Sequence, residues 1–466
     1  MAKSYKTAVF VFRRDLRLDD NTGLRKAFAL AERVLPCFIF DPRQQGDQND
    51  YFTAHGFQFL LESLEDLERQ LKAAGGALYR FAGLPHEIVE RLIEQCGAEA
   101  VMVNRDYTPF SRLRDGELQA LCARRHVFFG QYPDVSLNEP GRTVTEAGTP
   151  FRVFTPYYRR ARQFDVPSPQ SLKAGDFHKG PIEFARGKTL YDELLKERNA
   201  GAHVRGGRDS GVAILRRLAD FNDYGHSHDA VAQAGTTSLS AHHKFGTVSI
   251  REVYHALKKE LAAASEEIIR QLYWRDFFTQ LAFFNPWVFG KSLKTRFDDM
   301  RWDNDENHFN AWCEGRTGFP MVDAGMRQLN ETGWMHNRAR LVTGSFLTKN
   351  LLIDWRWGER YFARRLVDYD PCVNNGNWQW IASVGVDTRP IRILNPWTQQ
   401  QKFDSQAEYV KRWVPALRGL TPEAIHRLHD SRPPGLNDYP SPMMDHTQQF
   451  HAARERYEQA GYGQTG

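Results

Sequence analysis

The sequence predicts an α/β N-terminal portion with a doubly wound, Rossmann-like parallel sheet, joined by a long linker to an all-α C-terminal portion. Three observations carry this. Up to about residue 131, short apolar runs alternate with stretches of helical periodicity. From 132 to about 211 regularity is lost. Beyond that, strand-like runs nearly vanish while helical spacing persists. The expected domains are 1–131, a linker over 132–211, and 212–466.

In chain order, strands are expected at 7–12, 34–40, 77–81, 100–104 and 127–131, and helices at 52–74, 85–96 and 111–124. No GxGxxG opens any of these helices, so the usual dinucleotide cradle is missing from a suitable fold class. In the linker, Pro133, Pro140, Pro150, Pro156, Pro167, Pro169 and Pro181 are expected to break any helix. Helical spacing then covers 249–261, 266–284, 321–331, 335–349 and 357–367. The stretch 368–380, DYDPCVNNGNWQW, reads as a loop of small amides and acids followed by Trp378 and Trp380.

With 466 residues and 41% apolar content the chain can bury sizeable cores. Lysine plus arginine (62) barely exceeds aspartate plus glutamate (57), so a polyanion site must come from local clustering. The five cysteines (37, 96, 122, 313, 372) form no CxxC pair, which argues against zinc, an iron–sulfur cluster and a disulfide framework. The first residues run straight into a strand-like segment and no stretch reaches the apolar length of a membrane span. A cytoplasmic, monomeric protein without a membrane partner is expected.

Several constellations carry chemistry. Thr236, Thr237, Ser238, Leu239 and Ser240 precede a helical stretch and suit either phosphate binding or a plain helix cap. Gln271, Trp274 and Arg275 share one side of a helix, where Trp274 is either a core residue or the wall of a polar cavity. Asn337 and Leu341 share another face, with Arg338 turned away and Arg340 between; solvated cations are the ordinary alternative. Trp302, Trp355 and Trp378 are either separate core residues or a functional set. Aromatic rings, fixed cations and amides gathered in 334–380 suggest a redox cofactor beside a nucleic-acid surface.

Six collinear segments identify a resemblance: 11–20 (VFRRDLRLDD), 236–240 (TTSLS), 274–278 (WRDFF), 315–320 (GRTGFP), 334–338 (WMHNR) and 374–380 (NNGNWQW). Together they resemble the photolyase/cryptochrome family, most closely class I cyclobutane pyrimidine dimer photolyases. The resemblance implies an antenna domain and a helical domain holding U-shaped FAD, acting on UV-damaged DNA. It implies flavin contacts from Tyr224, Thr236 to Ser240, Arg275 and Asn337, a salt-bridged pair Arg340–Asp368 along the ring system, Asp370 as a second acid there, and Asn374 facing flavin N5. Trp378, Trp355 and Trp302 match the family's electron-carrying tryptophans. Trp274 and Trp380 match the aromatics that hold the flipped dimer. Arg338, with Lys402 nearby, matches the phosphate grip. An antenna pigment of the folate, deazaflavin or flavin class is implied, without residues that choose among them.

Two positions depart from the pattern. Gln271 stands where the nearest photolyases have a lesion-facing glutamate, and Leu341 where they have methionine. Glutamine can donate a hydrogen bond but cannot release a proton. Photolyases of the (6-4) type also carry glutamine there but depend on two histidines, and the matching positions are Asn337 and Leu341. A cryptochrome-like photoreceptor is the competing expectation; Asn374, rather than aspartate, favours repair.

Overall fold

The computed structural model describes residues 3–386 and 391–461, in two compact units. One comprises 1–200, 204–222 and 238–286, the other 201–203, 223–237 and 287–466. These units are divided differently from the expected domains, because 238–286 packs with the α/β portion.

The first unit is built on a parallel sheet of β1 (Tyr5–Phe12), β2 (Ala31–Phe40), β3 (Tyr79–Ala82), β4 (Ala100–Asn104) and β5 (Phe128–Tyr132) in the order β3-β2-β1-β4-β5, with β6 (Asp176–Phe177) pairing the start of β2. The continuous apolar runs follow from burial on both faces. In β1, Ala8, Phe10 and Phe12 enter one core while Val9 and Val11 enter the other. β2 begins earlier than expected because Glu32 and Arg33 extend the strand while remaining exposed. A helix unmarked by periodicity, Thr22–Leu30, starts at Asn21, whose side chain accepts from the Leu24 N–H.

The order reverses between β1 and β4, the place where open α/β sheets usually bind ligands. Here protein groups fill it: Asn104 donates to Asn21 at 2.8 Å and accepts from the Gly23 N–H at 2.8 Å, and a Cβ at Gly23 would meet Asn104 Oδ1 at 2.8 Å. The missing glycine fingerprint thus has a structural counterpart.

The segment 132–211 is not helix-free. Phe154–Ala161 is helical, because Pro156 lies in its first turn, where no backbone N–H is needed for the helix ladder. Beyond Pro133 the chain is fastened by buried charges. Arg17 pairs with Asp134 at 2.7 Å, and Arg251 pairs with Asp20 at 2.8 Å and with Asp134 at 3.0 Å. Further along, Asp276 Oδ2 accepts from the N–H groups of Leu137 (2.8 Å) and Asn138 (3.1 Å), whereas its buried Oδ1 has no hydrogen-bond partner. Burial raises this carboxyl from 3.8 to about 7, against the lowering effects of Arg275 and the two amides.

The second unit is helical around one core that includes Trp312, Phe346, Trp355, Phe362 and Trp378. The helix expected over 335–349 starts at Asn337, with His336 as its cap, and ends in a π-helical turn, Phe346–Asn350. The expected loop at 368–380 is mostly helix, Pro371–Ile381. Asp370 caps it by accepting from the N–H groups of Cys372 and Val373, and Pro371 occupies the first turn. Its Trp378 ring lies directly on the backbone of helix Trp355–Arg365, where a Cβ at Gly358 would fall 2.2 Å from Trp378 Cη2 and 2.5 Å from Leu347 Cδ2. All five cysteines are free thiols. Among the described residues no helix is long and apolar enough to cross a membrane.

Gly358→Ala should destabilise the protein by about 1–3 kcal/mol through overpacking, read as a lower urea midpoint, with Gly419→Ala, which meets nothing within 4 Å, as the neutral control. Asp276 gives a pH signature. Its folded pKa lies above the ordinary one, so its stability contribution is full below about 3.8 and is lost as pH rises to about 7. Asp276→Asn keeps an oxygen for the two amides and removes the ionisation, so urea midpoints at pH 5 and pH 8 should converge relative to the parent.

Candidate flavin and nucleic-acid site

In the first unit, helix Ser265–Phe284 carries Gln271, Trp274 and Arg275. The Arg275 guanidinium donates to the carbonyls of Val135 and, at 3.4 Å, His243, so its plane is set by backbone on two sides. His243 Nδ1 is buried without a hydrogen-bond partner, and burial, reinforced by Arg275, holds this imidazole well below its usual pKa. Gln271 is exposed, with Nε2 only 3.5 Å from the Glu267 carbonyl. Trp274 is half-buried, and Phe154 lies parallel to it with ring centres 3.6 Å apart and an interplanar angle of 6°. Ser238 adopts the left-handed conformation (φ 54°), followed by the short helix Ser240–Phe245. Leu239 stands at its cap, without a side-chain cap bond.

In the second unit, Thr236 and Thr237 follow Gly235, where a Cβ would meet the Ser227 carbonyl at 2.5 Å, so only glycine permits that approach. Tyr224 is buried and stacks on His228 at 5.0 Å. Arg340 forms an ion pair with Asp368 at 3.0 Å and donates to the Met335 carbonyl at 2.8 Å. Asn374 is 8% exposed, and its Nδ2 donates to the carbonyl (3.1 Å) and the carboxylate (3.0 Å) of Glu359. With its N–H groups taken by Glu359, Asn374 has its carbonyl oxygen to offer a partner.

Glu359 had no part in the sequence expectations, yet a signal was present. In helix Trp355–Arg365 the buried positions are Trp355, Gly358, Glu359, Phe362 and Ala363, so a carboxylate occupies a core position of the apolar stripe. Asp370, expected beside the flavin ring, caps the following helix. His336, buried, accepts from the Arg338 N–H through Nδ1 at 3.2 Å, and burial lowers its pKa to about 4.

Trp378 and Trp355 are buried, and Trp302 is half-buried. Trp378 meets Phe362 edge-on at 4.9 Å and Trp312 at 6.3 Å, while Trp302 meets Tyr457 at 6.2 Å. Trp380 is half-buried, with the Arg392 guanidinium 5.9 Å from its ring centre. Leu341 packs at the edge of the core and Asn337 is exposed. Arg338, expected to be available for phosphate, is forked onto Asp229 at 2.6 and 2.7 Å. Lys402 is exposed.

Within the second unit, a buried amide with a fixed orientation and a guanidinium–carboxylate pair suit a flavin ring system.

Residues 268–459 match the family profile for the FAD binding domain of DNA photolyase, and residues 8–173 that for DNA photolyase. The chain is 36% identical to a deoxyribodipyrimidine photo-lyase of Alkalihalophilus pseudofirmus, over 94% of this chain and 95% of that protein. It superposes on an archaeal photolyase from Sulfolobus tokodaii crystallised with two FAD molecules at a TM-score of 0.89 and 40% identity, covering 97% of this chain and all of that one. A Synechocystis cryptochrome gives a TM-score of 0.89 at 26% identity, with 98% and 99% covered. Matched from one end to the other by relatives of both kinds, the chain belongs to the photolyase/cryptochrome family.

Proposed function

We propose that this protein is a light-driven DNA repair enzyme that binds FAD and splits cyclobutane pyrimidine dimers. The observation that carries this reading is the buried, oriented amide of Asn374, held by Glu359 in a chain that resembles dimer photolyases over nearly its full length. Bound FAD in its reduced form would supply a light-excitable one-electron donor, which the dimer-splitting reaction would need without net redox change.

The chain's own residues bind, orient and shield. Tyr224, Thr236, Thr237, Ser238, Leu239 and Ser240 hold the phosphate and ribityl portion, and Arg275 and Asn337 add further contacts. The carbonyl of Asn374 would be available to accept a hydrogen bond from the ring system without itself titrating. Arg340 and Asp368 fix charge beside the ring. Trp378, Trp355 and Trp302 form the route by which an electron reaches the cofactor, and Gly358 lets Trp378 sit against the helix that begins with Trp355. Trp274 and Trp380 receive the extruded dimer, where stacking worth about 1–3 kcal/mol per base offsets an extrusion cost of a few kcal/mol. Arg338 and Lys402 grip phosphates. A second pigment of the folate, deazaflavin or flavin class serves as antenna. The protein works as a monomer in the cytoplasm, a reducing compartment that suits five free thiols.

A second reading, a cryptochrome-like photoreceptor, is favoured by Gln271 and Leu341. One experiment separates the two: purified protein should carry stoichiometric FAD by absorption and should split dimers in an oligonucleotide under blue light. Bound FAD without splitting would move the function to photoreception, and a protein unable to take up FAD would end both readings.

Gln271 yields a sharper test. Restoring the carboxyl in Gln271→Glu should raise the yield of splitting per absorbed photon at unchanged FAD content, by well under the roughly 10²- to 10⁴-fold of ordinary acid–base catalysis, because the electron-driven split has a low barrier. No gain in an efficient parent would show that hydrogen bonding by the glutamine amide suffices.

A further inference from the structure

The two cations assigned to DNA phosphates meet on one aromatic ring. The Arg338 guanidinium carbon lies 4.1 Å from the Phe403 ring centre and the Lys402 Nζ 5.0 Å from it. The same guanidinium is forked by Asp229: Nη2 reaches Oδ1 at 2.6 Å and Oδ2 at 2.7 Å, and Nε reaches Oδ1 at 3.2 Å. The Asp229 segment is moored to this place, since the Val231 N–H donates to the Phe403 carbonyl at 3.4 Å. The ion pair is still within reach of solvent, with side-chain exposures of 21% for Arg338 and 30% for Asp229.

A carboxylate and a phosphodiester offer a guanidinium the same feature, two anionic oxygens spaced for a fork. We propose that Arg338, Lys402 and Phe403 form a single phosphodiester seat and that Asp229 is its resident competitor. This rests on the DNA-binding reading above and adds a residue to it. A DNA backbone must displace Asp229 to reach Arg338. Because the displaced carboxylate is already partly hydrated, the competition is modest and lowers affinity without blocking it. Phosphates carry no information about sequence or damage, so the loss falls equally on undamaged and dimer-containing DNA.

The test is a binding series over salt concentration with the full FAD-loaded protein, on undamaged and dimer-containing oligonucleotides. Asp229→Asn should bind both about two- to fivefold more tightly, steepen the slope of log affinity against log salt by about 0.9, and leave the ratio of the two affinities unchanged. Arg338→Ala should weaken both, and Asp229→Asn should add nothing in that background. Asp229→Ser, tracked by FAD content and melting, serves if the asparagine variant folds poorly. Unchanged or weaker binding by well-folded Asp229 variants, with Arg338→Ala still impaired, would overturn the competitor and leave the DNA reading standing. Normal binding by Arg338→Ala would overturn the seat itself, and dimer splitting by that variant would show that the repair reading survives it.

Discussion

Four charges with little access to water decide how the first unit is assembled. Arg17, Asp20, Asp134 and Arg251 are 1–9% exposed and come from three stretches far apart in sequence. Charges that deep are costly unless paired and hydrogen-bonded, and removing any one strands the others. Burial alone would raise the Asp134 carboxyl; the guanidiniums of Arg17 and Arg251 outweigh it and hold the group below its ordinary range. The network requires the chain after β1, the chain after β5 and helix Ile250–Leu261 to meet, which is why 238–286 packs with the sheet. Arg17 and Asp20 lie in the 11–20 segment that helped to reveal the family; their work is assembly.

Much of the fold was legible. The sheet could be read because parallel strands buried on both faces leave unbroken apolar runs, and the long helices because their buried stripes repeat. Helix Pro371–Ile381 was not, since asparagines and a glycine hide its periodicity; the Asp370-Pro371 start was the available clue. The unit division was not either, because it depends on ion pairs between residues more than a hundred positions apart. At the site, family motifs named positions, but pairings such as Asn374 with Glu359 and Arg338 with Asp229 arise only when the chain folds.

These pairings share a physical logic. A neutral amide anchored by a buried carboxylate keeps one orientation and one protonation state, which suits a neighbour whose own charge changes during a reaction cycle. Arg340, held by Asp368 and by a backbone carbonyl, offers a fixed positive charge in the same way. At the proposed phosphate grip the arrangement is softer. Arg338 and Asp229 keep contact with water, so their pairing can be exchanged at little cost.

The parallel contact between Phe154 and Trp274 has a geometric consequence. An aromatic ring has two faces, and with centres 3.6 Å apart one face of this indole is covered. Phe278 also lies near-parallel to this indole, with ring centres 5.6 Å apart and an interplanar angle of 27°, so two neighbours fix its plane before any ligand arrives.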